Sequence, residues 1–125
     1  MMKEILLYTG SGIIFLWGVA HILPTKSIVS GFGEISIDNR RIITLEWIVG
    51  GVSLCFIGAL VFLVTLLGAS GNPISQGVTW LSAAALLLMA VVSLFTGART
   101  AIIPMKICPA IQTLSALLFI LGNVL

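Results

Sequence analysis

The fold is decided by the stretch Thr44-Leu45-Glu46-Trp47-Ile48-Val49-Gly50-Gly51, which places one carboxylate inside a long apolar run. That run continues from Ile42 to Leu67 and contains no other charged residue. Its length and composition are typical of a membrane-spanning helix. A carboxylate at the centre of such a helix costs roughly 2.5–3.5 kcal/mol on insertion scales, so it is expected to face protein, water or a partner. We therefore predict a transmembrane helix in which Glu46 has a partner.

The residues that follow the acid predict a close contact between helices. At about 100° per residue, Gly50, Ser53 and Ile57 share the helical face of Glu46. Small residues allow two helix backbones to approach each other in a membrane. We expect helix packing to involve Gly50, Gly51 and Ser53 on this span and Gly18 on the first span.

The composition excludes an ordinary soluble domain. Of the 125 residues, 59% are hydrophobic and only 8% are charged, which is too little polar surface for a soluble fold. Hydropathy predicts an all-α integral membrane protein, a single four-helix transmembrane bundle with spans at about residues 4–23, 42–67, 76–97 and 105–125. These spans and their connections account for the 125 residues, so we expect the activity of this chain to lie within the bundle or at its rim.

Several classes of function lack their usual sequence signals. The six Lys and Arg residues are scattered, and the chain has neither a basic cluster nor a nucleotide-binding glycine loop, so we do not expect nucleic acid as a partner. One histidine, with no CxxC or HExxH motif, does not predict a metal site, and no cofactor is indicated. We interpret Cys55 and Cys108 as apolar fillers rather than a disulfide.

Between the first two spans, Pro24–Asn39 has a mixed composition. This pattern suits either a short amphipathic segment at the membrane interface or an ordinary loop with a few buried anchors, and the residues leave both open. Ser36 or Asp38 can cap the second span. The uncharged turn Gly68–Pro73 is rich in helix breakers and separates the second and third spans.

The positive charges indicate an orientation. Four spans place five basic residues on one side and Lys3 on the other, and the five are Lys26, Arg40, Arg41, Arg99 and Lys106. The positive-inside rule makes the first side cytoplasmic and both termini external. We expect the protein to lie in a prokaryotic cytoplasmic membrane.

The same topology predicts a polar cluster near the cytoplasmic boundary. Its members come from several spans and are His21, Glu46, Arg99, Lys106 and Arg40. We expect Arg99 or His21 to be the partner of Glu46. The cluster is either a pocket for a small ligand, a quinone headgroup or a proton, or a structural clasp that fixes helix packing.

Two spaced motifs in the first half of the chain resemble the DoxX-like family of small four-span membrane proteins. They are Gly12-x-x-Phe15-x-x-Gly18-x-x-His21 with Pro24 after it, and Glu46-x-x-x-Gly50-Gly51-x-x-Leu54-x-x-x-Gly58. The resemblance implies a bundle that serves in some members as the membrane subunit of a thiosulfate–quinone oxidoreductase and has no assigned activity in many others. It makes a quinone-linked or redox-linked accessory role admissible.

Three hypotheses for the function follow. The first is a small ligand-binding or accessory subunit whose cytoplasmic-side pocket holds an apolar ligand, a quinone or a segment of a partner protein. The partner is another membrane protein or a second copy of this chain. The second is a proton-coupled small transporter. The third is a membrane enzyme that uses His21 and Glu46 as acid and base on an apolar substrate.

Cysteine labelling tests the orientation. With Ser30→Cys and Ser70→Cys introduced separately, an impermeant thiol reagent added outside should label residue 70 and not residue 30, because the positive-inside rule places residue 30 in the cytoplasm. Labelling of residue 30 with protection of residue 70 would reverse the orientation.

Overall fold

The structure is a computed structural model that describes residues 1–68 and 71–125. The described residues contain helices and no strand. The helices are α1 (Met2–Ile22), α2 (Thr25–Ser30), α3 (Ile37–Leu66), α4 (Pro73–Phe95) and α5 (Ile103–Val124), with a single 3₁₀ turn at Gly97–Arg99. Four of these helices are long and apolar enough to cross a membrane. The predicted all-α fold with four spans is therefore confirmed.

The amino ends of α3 and α4 are fixed by side-chain caps. The Ser36 hydroxyl oxygen accepts a hydrogen bond from the backbone N–H of Asn39 at 3.1 Å, and Asp38 lies in the first turn. For this reason α3 begins at Ile37, earlier than the predicted start at residue 42. In the same way Asn72 accepts from the N–H of Ile74 at 2.8 Å at the start of α4. The predicted Gly68–Pro73 turn includes Ala69 and Ser70, which lie outside the described residues.

The segment between the first two spans contains one short helix, α2. Val29 is its buried residue, and the helix packs against α3. After α2 the chain turns at Gly33, whose φ of 75° lies in the left-handed region that favours glycine. Phe32 beside this turn stays exposed. The segment thus combines a helical piece with a single buried anchor.

The order of contacts places α1 in the middle of the bundle. α1 packs extensively against α3 on one side and against α5 on the other, and α5 in turn packs against α4. Although α3 and α4 follow each other in the chain, they make little contact. The core lies where α1, α3, α4 and α5 face each other, and its largest fully buried side chains are Ile14, Leu54, Leu86 and Phe119.

The backbones of α1 and α3 approach each other at glycines. A Cβ atom added at Gly18 would lie 2.7 Å from Cys55 Sγ and 2.8 Å from the carbonyl oxygen of Gly51. A Cβ atom added at Gly58 would lie 2.7 Å from the carbonyl oxygen of Ser11. Real Cβ atoms are not found this close to backbone atoms, so each glycine makes the local approach of the two helices possible.

The line of contact on α3 is rotated by about one residue from the predicted face. Gly51, Leu54 and Gly58 are buried, whereas Glu46 is exposed. Of the predicted face, Ile57 is buried. A Cβ atom at Gly50 would meet only His21 Nε2, at 3.4 Å. Ser53 donates its hydroxyl to the carbonyl of Val49 in its own helix. Gly18 and Gly51 therefore form the close contact, while Gly50 and Ser53 lie beside it.

We expect Gly51→Ala to destabilise the fold. The new methyl group would overlap Ile22 and lie 2.9 Å from the carbonyl oxygen of Gly18, so the helices would have to separate. Such overpacking costs about 1–3 kcal/mol. Gly12→Ala is the matched control, since its Cβ meets nothing within 4 Å and alanine favours a helix by about 0.5–1 kcal/mol. Thermal unfolding of both variants in the same detergent measures the difference. Equal unfolding temperatures for Gly51→Ala and Gly12→Ala would contradict the close contact between Gly18 and Gly51.

Candidate functional site

The residues of the predicted polar cluster lie at one end of the bundle, but their side chains do not converge. The guanidinium of Arg99 lies 5.6 Å from the ring centroid of Phe95, and Arg40 Nη2 donates to the carbonyl of Gly33 at 3.4 Å. Lys106 lines an outward groove between α4 and α5. Each cation thus has its own local surroundings.

The predicted ion pair of Glu46 with Arg99 or His21 is not formed. Within residues 1–68 and 71–125, the structure shows one ion pair, between the amino terminus and Glu4, at the opposite end of the bundle. Glu46 is exposed because the buried residues of α3 begin at Gly51 and lie on a different face of the helix from Glu46. The acid also lies level with the last turn of α1, where headgroups and water can solvate a carboxylate.

Trp47, the residue after Glu46, contacts His21, which was predicted as a partner of Glu46. The rings of Trp47 and His21 are stacked, with centroids 4.1 Å apart and planes 13° apart. Trp47 Nε1 donates a hydrogen bond of 2.7 Å to the backbone carbonyl of His21. This carbonyl is in the last turn of α1, where carbonyls lack an intrahelical donor. The pair therefore caps α1 and fixes the position of the His21 ring.

A second tryptophan joins α1 to α5. Trp17 Nε1 donates to Cys108 Sγ at 3.3 Å. Cys108 is 5% exposed and is a free thiol, as is Cys55. The interpretation of Cys108 as an apolar filler is therefore incomplete, because its sulfur also accepts a hydrogen bond between two helices.

These tryptophans border a cavity of about 210 Å³, which we call the His21 pocket. It lies where α1, α3 and the start of α5 meet, next to α2. Most of its wall is apolar or aromatic. Its lining residues are Trp17, Ala20, His21, Pro24, Ile28, Trp47, Ile102, Pro104, Met105 and Cys108.

A second cavity of about 360 Å³, the Gln112 chamber, adjoins the first. His21, Met105 and Cys108 line both cavities. The chamber lies between α3 and α4 and has α1 and α5 behind it. Its lining residues are His21, Gly50, Leu54, Leu88, Met89, Val92, Ser93, Met105, Cys108 and Gln112.

Two features of α5 add polar atoms to this region. Pro109 lies inside the helix and has no N–H, so the carbonyl of Met105 lacks its usual donor four residues later. Gln112 is 2% exposed, and its Oε1 atom has no hydrogen-bond partner among the described residues. Sequence reasoning missed Gln112, although a glutamine inside an apolar span is unusual for the same reason as Glu46.

Other cavities are less suited to a specific ligand. A groove of about 660 Å³ between α1 and α3 faces outward and is lined by residues such as Gly12, Phe15 and Phe62. In a bilayer this surface is exposed to lipid, and acyl chains can fill it. No three His, Cys, Asp or Glu residues of the described chain are placed to hold a metal ion.

Neutralising the acid should change stability little. Because Glu46 is exposed and unpaired in the described structure, Glu46→Gln is expected to stay within about 0.5 kcal/mol of the wild type. Trp47→Phe keeps a stacked ring but removes the donor to the His21 carbonyl, at a cost of about 1 kcal/mol. Thermal unfolding compares the two variants. A loss at Glu46→Gln as large as that at Trp47→Phe would show that the acid is part of a structural clasp.

Comparison with known proteins gives the site no precedent. No protein-family model matches the chain, and neither the curated proteins nor the solved structures include a significant match to it.

Proposed function

We propose that the protein is a membrane-embedded ligand-binding or accessory subunit, and that the His21 pocket holds a small, flat, apolar ligand. The observation that carries this proposal is a cavity of about 210 Å³ bordered by two indoles and an imidazole. An apolar cavity of about 150 Å³ is enough to bind benzene. The His21 pocket therefore has room for one substituted ring.

The walls suit an aromatic or quinonoid ring. The indole N–H of Trp17 donates a hydrogen bond to Cys108 Sγ, and that of Trp47 donates one to the His21 carbonyl. Both rings are therefore fixed in place before a ligand binds. A fixed wall lowers the ordering cost of binding. The imidazole of His21 can donate a hydrogen bond to, or accept one from, a ligand oxygen at the edge of such a ring.

A quinone headgroup is the ligand class that we test first. It combines a flat apolar ring with oxygens that accept hydrogen bonds, and it is the class implied by the resemblance to DoxX-like proteins. In this proposal the chain holds the ligand and a partner subunit carries out any redox step. The positive-inside argument assigns the pocket to the cytoplasmic side of the bundle.

Quinone binding can be followed by tryptophan fluorescence. In a Trp80→Phe background, Trp17 and Trp47 remain, and a short-chain quinone should quench them in a saturable way. Ala20→Phe should lower the quinone affinity about tenfold or more, because the new ring occupies the pocket that Ala20 lines. Ala59→Phe is the control, since Ala59 lines the outward groove between α1 and α3.

Native mass spectrometry from lipid nanodiscs provides the second measurement. A retained quinone at a stoichiometry of about one per chain supports the proposal. Equal quenching of the Ala20→Phe and Ala59→Phe variants, or the absence of any retained ring compound, would contradict it.

A further inference from the structure

We propose that the outward groove between α4 and α5 binds one anionic phospholipid, with the Lys106 ammonium on the lipid phosphate and an acyl chain lying along the groove. We call this surface the Lys106 groove. Its volume is about 640 Å³, and its walls include Val91 and Leu94 of α4 and Lys106, Leu114 and Leu117 of α5. It shares no lining residue with the His21 pocket, so the inference does not rest on ligand binding there.

The charge of the second half of the chain is the first argument. Residues 71–125 contain no Asp or Glu, and their two cations are Arg99 and Lys106. Both lie at the same end of the bundle, because the 3₁₀ turn Gly97–Arg99 packs against α5 and a Cβ atom at Gly97 would lie 2.6 Å from Met105 Cε. Within the described residues Lys106 forms no ion pair. This half of the bundle therefore presents positive charge without an acidic side chain of its own, and a lipid phosphate complements it.

The depth and length of the groove are the second argument. Because α5 begins at Ile103, Lys106 lies in its first turn, where a lysine side chain can extend to the headgroup level. From Lys106 to Leu117 the groove follows α5 for about 16 Å at 1.5 Å per residue, and one leaflet of the hydrocarbon core is about 15 Å thick. A lipid whose phosphate is at Lys106 thus has its acyl chain beside the groove over the whole leaflet.

The walls of the groove suit an acyl chain, and Lys106 is the charged residue among them. Val91, Leu94 and Leu117 line the groove and are about half exposed, so they face lipid in a bilayer. The groove between α1 and α3 is similar in volume, about 660 Å³, but its described lining contains no charged residue. Acyl chains of any lipid can fill that groove, whereas Lys106 makes the groove between α4 and α5 selective for the headgroup.

The test uses the whole chain in nanodiscs that contain equal amounts of phosphatidylglycerol and phosphatidylcholine with identical acyl chains. Native mass spectrometry identifies the lipid that each chain retains on release. The wild type should retain one phosphatidylglycerol, at about fivefold excess over phosphatidylcholine, which corresponds to one cation acting on an anionic headgroup at the membrane surface. Equal retention of the two lipids would overturn the proposal.

Lys106→Gln is the decisive variant for the headgroup. It should abolish the preference for phosphatidylglycerol, and Lys106→Arg should keep it, because the charge is what the phosphate needs. Lys26→Gln is the matched control, since Lys26 is also an exposed cation on the predicted cytoplasmic side but belongs to α2 and does not line the groove. An unchanged preference in Lys106→Gln would overturn the proposal. An equal loss in Lys26→Gln would also overturn it, because it would show a general attraction of anionic lipids to the positive end of the bundle.

The acyl chain is tested by filling the groove without changing its charge. Ala110 is exposed and lines the groove, so Ala110→Phe should lower the amount of retained phosphatidylglycerol several-fold. Val91→Phe fills the groove from the α4 wall and provides a second variant with the same expected loss. Ala59→Phe is the control, because Ala59 lines the groove between α1 and α3. Wild-type retention in both Ala110→Phe and Val91→Phe would mean that Lys106 attracts only an anionic headgroup, and this would overturn the groove as a lipid site.

The lipid site and the His21 pocket can fail separately. Lys106→Gln should leave quinone quenching of Trp17 and Trp47 intact, because Lys106 does not line the His21 pocket. Ala20→Phe should leave the preference for phosphatidylglycerol intact, because Ala20 does not line the groove. Loss of the lipid preference in Ala20→Phe would overturn the groove as an independent site.

Discussion

The direct approach of the α1 and α3 backbones at Gly18 and Gly51 is the constraint on which the rest of the structure depends. With no side chain between them, the two helices fix each other in both rotation and height. Height matters because it brings Trp47 level with the last turn of α1, where its indole stacks on the ring of His21. Rotation matters because it turns Glu46 outward and places Gly50 next to His21, so that a Cβ atom at Gly50 would lie 3.4 Å from His21 Nε2.

The second half of the chain attaches through α5. Close contacts at the other end of α1, where Gly10 meets Phe119 and Gly122 meets Leu7, hold α5 against α1, and α4 then packs on α5 rather than on α3. Most buried hydroxyl groups of this bundle donate a hydrogen bond to a backbone carbonyl of their own helix. Thr65, Thr79 and Ser82, for example, each donate to the carbonyl four residues earlier. Against that background, the unpaired oxygens of Gln112 and Ser115 stand out on α5.

Hydropathy and capping residues are enough to predict the four spans and a cap for the second span at Ser36 or Asp38, because burial in lipid and the unpaired amides at a helix start depend only on local sequence. The structure assigns the cap to Ser36. The partners of the charged residues could not be predicted in the same way. A membrane span is apolar around its whole circumference, so the sequence does not show which face packs inward. The true face of α3 differs from the predicted one by about one residue, and that is enough to expose Glu46 and to replace it with Trp47 at His21.

The length of α3 has a mechanical consequence. Its 30 residues span about 45 Å, whereas the 21 residues of α1 span about 32 Å, close to the thickness of a hydrocarbon core. Because the glycine contacts prevent α3 from sliding along α1, a thinner or thicker bilayer cannot be matched by moving one helix past the other. The two helices must tilt together as one body. Because α5 is held against α1, and α4 against α5, such a tilt carries the second half of the bundle with it, so the four spans respond to the thickness of the membrane together.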